Sequence, residues 1–471
     1  MTQILLLTLL LIPLLGCVVS GFKKENFFLK ILEGVLPVLF LVNLIGLRQS
    51  LQISNNEAIL FNFYLNRTSF IFLSLTNFLW LVFTFYSQRF WQINSEERSH
   101  QMRSFFSIIV ATLTLICVSK NLMITLFFYS CLILATQLFV LRLLRYAEVG
   151  FLRFFNFLLY FESFFFFLAI VTTYKLLGRL DFLEGGIVSD NLGRDEEILL
   201  LIFYFFGLFF SAFLPYFLFF RKINFEPIAT HLLFFLSYSL ASLCIFIKVI
   251  DSIFGFDCFA RIFAESDLGF IELIFLFNIL AASLFLLFSK GIKLSFFYLF
   301  FQQFFFAIFA IFFFAIFNRE IVYVSLISFS LSLTLIFFCV SNISTYLSKS
   351  GAKSLSGIFY KLPISATLLI FALVSLAGFF PAIGAVEKFF LIKAIWQKKM
   401  WISAVIVLVN STTLLIFSLK ILYHFFSNSE ENVSEENAAL ARDIDFDSRL
   451  ILTASVTALL MFAGLFVTKF I

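Results

Sequence analysis

The chain is a succession of long apolar runs broken by short polar stretches. Hydrophobic positions within the runs neither alternate nor keep to one helical face, so they predict helices that are apolar all round. A hydrocarbon core about 30 Å thick needs about 20 such residues per crossing, and only helices or closed barrels satisfy the backbone inside it. The pattern predicts fourteen spans, near residues 3–21, 27–47, 64–86, 104–120, 122–143, 152–175, 197–219, 229–250, 267–289, 294–317, 321–345, 362–396, 400–426 and 449–470. The run at 362–396 is broken internally by Gly378, Pro381 and Gly384. Connectors such as RQSLQISNNE, GRLDFLEGGIVSDNLGRDEE and SKSGAKS fall short of the roughly 50 residues a soluble domain needs. The expectation is an all-α polytopic membrane protein, with residues 1–471 forming a single transmembrane domain.

Composition agrees with the pattern. Of 471 residues, 62% are hydrophobic and 13% charged, and the mean hydropathy is +1.05. Soluble domains are about 45–50% apolar and about 25% charged. The first apolar run ends in LLGC at 14–17, but no Lys or Arg precedes it. It therefore reads as the first span and not as a secretory signal. The 77 phenylalanines suggest an AT-rich, organellar coding sequence, because lipid-facing positions accept Phe, Leu or Ile alike.

The six cysteines lack CxxC spacing, and His100, His231 and His424 lie far apart, so the sequence offers no zinc, haem or iron–sulfur site. Neither GxGxxG nor GxxxxGK[ST] occurs, and the net charge of +5 is spread over loops, so neither nucleotide binding nor nucleic acid is indicated. Lys23, Lys24, Arg179, Arg221, Lys222 and Lys349 sit at span ends, where basic side chains snorkel to the interface.

Ionisable residues placed within spans carry more information. A charge at a helix centre costs about 2.5–3.5 kcal/mol on insertion scales, so such residues face a bundle interior or a wet cavity. The candidates are Lys30, Glu33, Arg153, Glu162, Lys248, Glu272, Glu387, Lys388, Lys393 and Lys420. Lys30 and Glu33 stand three apart and are expected to pair with each other. Structural pairing or snorkelling is the expectation for most of the rest. Lys388 differs, because it follows the Gly378, Pro381, Gly384 break. Non-helical backbone at membrane depth is tolerated only where protein or a water-filled cavity surrounds it, and broken helices build the ion sites of transporters. Lys388 is accordingly the candidate proton carrier, with Glu387 beside it as modulator.

The stretch SLAGFFPAIGAVEKFFLIKAI resembles the broken-helix signature of the antiporter-like membrane subunits of respiratory complex I and of multisubunit cation/proton antiporters, approximately SLAGIPPLAGFxxKFxLxKA. Ser375, Leu376, Ala377, Gly378, Pro381, Gly384, Lys388, Phe389, Leu391, Lys393 and Ala394 fit it. Weaker likenesses cover most of 120–426: KLSFFYLFFQQFFFAIFAIF with Lys293 and Tyr298, VLVNSTTLLIFSLKILYHF with Asn410 and Ser411, EVGFLRFFNFLLY, and FSAFLPYF with Pro215 at a second break. Lys388 followed by FFLIKA is most similar to the subunit 2 type of NADH dehydrogenase (ubiquinone). The resemblance implies an antiporter-like fold of about 14 transmembrane helices with two inverted five-helix repeats and broken helices. The repeats would span 104–250, with degenerate charges, and 267–426, containing the broken helix 362–396; the C-terminal helix is 449–470.

The departures are equally specific. Where the family places a glutamate on its fifth helix, this chain has Cys131 or Leu132. The family's seventh-helix lysine falls at Phe210 or Ser211, its eighth-helix lysine at Tyr238 and a histidine at Gln303, and Arg153 replaces a further lysine. Guanidinium stays charged, so Arg153 cannot carry a proton. Glu162 and Lys248 are the expected substitutes. Either the charged axis is rerouted or the first half no longer pumps.

The resemblance implies a membrane-arm subunit of mitochondrial NADH:ubiquinone oxidoreductase, multi-pass in the inner membrane, that couples electron transfer to proton translocation. NADH, FMN, iron–sulfur clusters and ubiquinone would belong to partner subunits, with no redox centre in this chain. The partners expected are other membrane-arm subunits of complex I, especially neighbouring antiporter-like ones, and membrane lipids. Alternatives are an antiporter-like subunit of the 4 or 5 type, a subunit of a cation/proton antiporter, and a structural scaffold that no longer pumps.

Overall fold

The structure is a computed structural model describing residues 2–22, 27–54, 58–60, 63–94, 99–143, 149–183, 185–188, 192–212, 228–264, 269–289, 291–317, 321–350, 355–427 and 435–467. The described part is almost entirely helical and divides into two compact units.

The first unit comprises residues 1–211 and 237–264. Its helices are α1 (Thr2–Gly21), α2 (Phe27–Ser54), α3 (Arg67–Asn94), α4 (Ser99–Val118), α5 (Leu122–Leu143), α6 (Val149–Leu177), α7 (Arg194–Phe209), the part of α8 (Ile228–Val249) from Ser237 onward, and α9 (Phe256–Ala264). α7 runs into a 3-10 turn at Phe210–Ala212, and α8 into a π-helical turn at Ile250–Phe254. α1 packs on α2 and α4, α4 on α5, and α6 on α7. A short hairpin, β1 (Ala58–Leu60) against β2 (Phe63–Leu65), precedes α3. The sequence pattern had placed the start of a span over β2, because three apolar strand residues read the same as a helix entrance.

The Glu33 carboxylate on α2 pairs with Arg103 on α4 at 3.5 Å, and the expected partner Lys30 has its side chain outside the described residues. The pair is buried and lines a small cavity together with Ser20, Ser87 and Ser107 and with Leu36, Trp80 and Phe106.

The second unit comprises residues 212–236 and 265–471. It contains α10 (Gly269–Phe288), α11 (Ile292–Phe317), α12 (Val322–Ser350), α13 (Ile358–Lys361), α14 (Pro363–Ala377), α15 (Ile383–Lys398), α16 (Trp401–Phe426), α17 (Glu435–Asp445) and α18 (Ser448–Val467). α11 and α12 are buried along nearly their whole length, whereas α10 and α16 bury one face and present Leu, Ile and Phe on the other. Much of the phenylalanine excess sits inside this unit. Phe297, Phe300, Phe301, Phe304, Phe309 and Phe313 on α11 are buried and packed ring against ring. Tilted and edge-to-face aromatic pairs add to plain area burial, so these positions are fixed by packing and not by indifference to lipid.

Among the described residues nine helices are long and apolar enough to cross a membrane, and four shorter apolar helices accompany them, including Pro363–Ala377. The protein is a multi-pass membrane protein of all-α class. The expected break falls where the sequence placed it, between α14 and α15. Gly378 ends α14 with φ of 94°, a left-handed conformation that L side chains rarely adopt, and its N–H donates to the carbonyls of Val374 and Ser375. The Phe380–Pro381 bond is cis. The second predicted break, at Pro215, lies outside the described residues.

One connector holds a helix that the hydropathy pattern did not reveal. α17 is short and polar on one face, and its last residue, Asp445, is buried against the start of α14. The Asp445 carboxylate accepts the N–H groups of Ile364 and Ser365, each at 2.8 Å, and the Ser365 hydroxyl at 2.6 Å. α14 has Leu362 at its N-cap position and no side-chain cap of its own, so Asp445 satisfies the orphan donors from outside. Asp445→Ala is expected to destabilise the protein by about 1–2 kcal/mol, the usual scale for a lost helix cap. Thermal unfolding of the purified protein in detergent checks it, with Asp443→Ala at an exposed position of α17 as the comparison.

Candidate functional site

The break between α14 and α15 brings Lys388 into the interior of the second unit. Lys388 and Glu387 are each only 5% exposed. A Cβ on Gly378 would lie 2.5 Å from the Lys388 Cδ, so the glycine both turns the chain and makes room for the lysine stem. The stem therefore passes the C-terminal end of α14, where the negative end of the helix dipole favours a cation. The Lys388 Nζ donates to the Ser411 hydroxyl on α16 at 2.8 Å and stands 5.3 Å above the ring of Phe306 on α11.

Successive residues on a helix diverge by about 100°, so Glu387 faces a different neighbour. Its carboxylate lies beside the hydroxyls of Ser325 and Ser328 on α12, in electrostatic contact but outside strict hydrogen-bond geometry. Further along α12 the buried hydroxyls of Ser332 and Ser341 have no hydrogen-bond partner among the described residues. On the Ser411 side two glutamine amides of α11 reach across to neighbouring helices. Gln303 donates to Asn410 at 3.0 Å, and Gln302 donates to Ser283 at 2.8 Å and to Thr413 at 2.6 Å. Gln303, which stands where the family has a histidine, is thus buried one residue from the hydrogen-bond partner of Lys388.

The other ionisable candidates of this unit have structural partners. Glu272 accepts a hydrogen bond from Ser403, Lys420 donates to the Leu287 carbonyl at 3.1 Å near the end of α10, and Lys393 is exposed.

In the first unit, Lys248 ends its side chain among carbonyls. Its Nζ donates to the backbone oxygens of Ile116, Cys117 and Ser119 at 3.3, 3.2 and 2.7 Å and to the Ser119 hydroxyl at 3.3 Å. The same nitrogen lies 4.5 Å from the ring centroid of Phe182. These carbonyls close α4, so the lysine acts as a C-terminal cap, where a cation is favoured by the dipole as well as by hydrogen bonding. Lys248→Met is expected to lower stability by about 1–2 kcal/mol through the unpaired carbonyls it leaves. Thermal unfolding measures that loss, and the ratio of protons moved to substrate turned over is expected to stay unchanged.

Glu162 on α6 is fully buried. Tyr238, aligned with the family's eighth-helix lysine, accepts a hydrogen bond from Tyr129 on α5 at 2.8 Å. Arg153 and Ser211 are described by their backbone alone. No local pattern points to the Tyr129–Tyr238 bond, to Asp445 at α14, or to Cys117 and Cys244 with their sulfurs 3.7 Å apart, since each joins residues more than 75 positions apart. Among the described residues no cluster of His, Cys, Asp and Glu is arranged to hold a metal ion.

No protein-family profile and no curated protein matches the sequence. Solved structures do. The chain is similar to one of respiratory complex I from Thermus thermophilus with bound aureothin, with a TM-score of 0.71 and 15% identity, covering 100% of this chain and 99% of that one. It is also similar to a chain of the Mrp complex from Dietzia sp. DQ12-45-1b, with a TM-score of 0.76 and 15% identity, covering 100% and 94%. Likeness at this identity speaks for the fold: the chain has the antiporter-like, all-α membrane fold of these subunits along its whole length.

Proposed function

We propose that this chain is a proton-translocating, antiporter-like subunit of a membrane-embedded assembly, and that Lys388 is the residue that takes up and releases the proton. The observation that carries this reading is a buried lysine at a helix break, hydrogen-bonded to the Ser411 hydroxyl, with the Glu387 carboxyl near enough to act on it electrostatically. An ammonium locked in a tight ion pair would keep its proton. One held by Ser411 can exchange it with water as its surroundings change. Glu387 sits on the adjacent face and biases that exchange by its own charge.

In this reading residues 104–250 and 267–426 are two five-helix repeats, the second retaining its ionisable residue at the break. The assembly we favour is NADH:ubiquinone oxidoreductase of the mitochondrial inner membrane, with this chain as its subunit 2 type. The lysine at 388, the FFLIKA that follows and the full-length likeness to a complex I chain support that reading. NADH oxidation, FMN, iron–sulfur clusters and ubiquinone would then belong to partner subunits, and neighbouring antiporter-like subunits would flank this one. A cation/proton antiporter assembly is the second reading, favoured by the fold likeness to the Mrp complex.

Purification of the tagged chain from native membranes in mild detergent separates the two. Co-purification of flavin, iron–sulfur absorbance and NADH:quinone activity is expected. An assembly that exchanges sodium for protons in vesicles and oxidises no NADH would overturn the complex I reading and leave the antiporter reading standing.

A further inference from the structure

The first unit lacks the lysines that its family resemblance would place there, yet it is not without buried titratable groups. Glu162 on α6, Tyr129 on α5, and Tyr238 and Ser242 on α8 are all buried in the interior of the unit. The Tyr129 hydroxyl donates to the Tyr238 hydroxyl at 2.8 Å and lies 3.3 Å from the Ser242 hydroxyl. The Glu162 carboxyl is close enough to Tyr129 to interact with it electrostatically. The phenol ring of Tyr129 is wedged edge-on against Phe166, one turn along α6 from Glu162, which holds the hydroxyl toward α8. Helices α5 and α8 thus bring three hydroxyl oxygens together beside aromatic rings, with the Glu162 carboxyl of α6 in their electrostatic field.

We propose that Glu162, Tyr129 and Tyr238, with Ser242 beside them, form a second proton-relay site in the first unit, built from a carboxyl and two phenols in place of the missing lysines. The proposal rests on the reading of the chain as a proton-translocating subunit. The balance is simple. A proton leaves the Glu162 carboxyl for the Tyr129 oxygen while the Tyr129 hydroxyl proton passes to the Tyr238 oxygen. Tyr238 in turn gives up its own proton to a water, while Ser242 stays a hydrogen-bonding neighbour of Tyr129. Each phenol gains one proton as it loses one, so no phenolate accumulates: the carboxyl becomes a carboxylate and the accepting water a hydronium that carries the proton away. A buried carboxyl within a membrane span is costly and marks proton paths when it has a polar partner. A phenol is a suitable partner because it is both donor and acceptor.

The bland alternative is that these groups merely tie α5, α6 and α8 together. Tyr129→Phe, Tyr238→Phe and Glu162→Gln, each made in the intact assembly and reconstituted into vesicles with a pH-sensitive dye, decide between the two. The Phe variants keep the rings and remove one oxygen each. If the relay operates, Tyr129→Phe and Glu162→Gln lower proton translocation by about a hundredfold, the scale of losing one positioned proton-transfer group, while the amount of assembled protein is unchanged. Infrared difference spectra give a readout that packing alone would not move. The wild type is expected to show a carboxyl C=O band that shifts in D2O, is absent in Glu162→Gln and moves in Tyr129→Phe.

Loss of translocation in Lys388→Met with full translocation in both Phe variants overturns the relay and leaves the reading of Lys388 intact. Full translocation in Lys388→Met as well overturns the reading and the relay together. Where Glu162→Gln fails to assemble, the Phe variants and the D2O shift in the wild type decide, and a wild-type spectrum without an exchangeable carboxyl band overturns the relay.

Discussion

Lys388→Met is expected to abolish proton translocation by the intact assembly, with a loss of about a hundredfold or more, the scale of removing a positioned acid–base group. Met nearly matches the length of the lysine stem, so the packing against Gly378 and Phe306 is preserved while the exchangeable nitrogen is gone. Ser411 loses its hydrogen bond but lies at the edge of the buried region, where the cost is small. Lys388→Arg is expected to fail as well, for the opposite reason: it keeps the charge but does not release the proton. Proton uptake into vesicles and the ratio of protons to electrons measure both. An assembled Lys388→Met variant with unchanged turnover and unchanged ratio would establish the chain as a scaffold. Substitutions at Phe210 or Ser211, where the family's seventh-helix lysine would fall, are expected to matter only for packing.

Gly384→Val should prevent the second unit from packing. Gly384 lies in the first turn of α15, and a Cβ there would run into the Ser375 backbone carbonyl on α14. The obstacle is main chain, so no flexible side chain can move aside. Overpacking of this kind costs about 1–3 kcal/mol and more where backbone must shift. The two halves of the broken helix would be forced apart and Lys388 displaced from Ser411. The expected result is loss of assembled protein, followed on native gels, and not a folded protein with altered transport. Gly46→Ala is the control, since nothing lies within 4 Å of a Cβ there. Wild-type amounts of the Gly384→Val variant would mean that α14 and α15 are not held this closely.

Much of the architecture was legible in the sequence because the bilayer leaves few choices. A run of about 20 apolar residues has to be a helix, and α1, α5, α10, α11 and α16 begin and end within a few residues of the predicted limits. The break was legible because Gly378, Pro381 and Gly384 are incompatible with an uninterrupted helix at this spacing. Local rules failed where a residue's partner lies on another helix. Glu33 on α2 pairs with Arg103 on α4, Lys248 closes α4, and Asp445 caps α14 from a connector that hydropathy reads as loop. The phenylalanines of α11 are set by ring packing inside the second unit, where the sequence alone suggested tolerance at a lipid face.

That the chain is a bundle of membrane helices, where most of them lie, and that Lys388 stands at a break in one of them can all be read from the residues in order. Those properties follow from the cost of exposing backbone and charge to hydrocarbon, which acts on each segment separately. What Lys388, Glu387, Lys248, Glu162 and Tyr129 touch is settled by packing. A buried polar group must find its partner among the side chains and carbonyls that packing brings within about 3 Å, and the periodicity of a single helix carries no record of which those are.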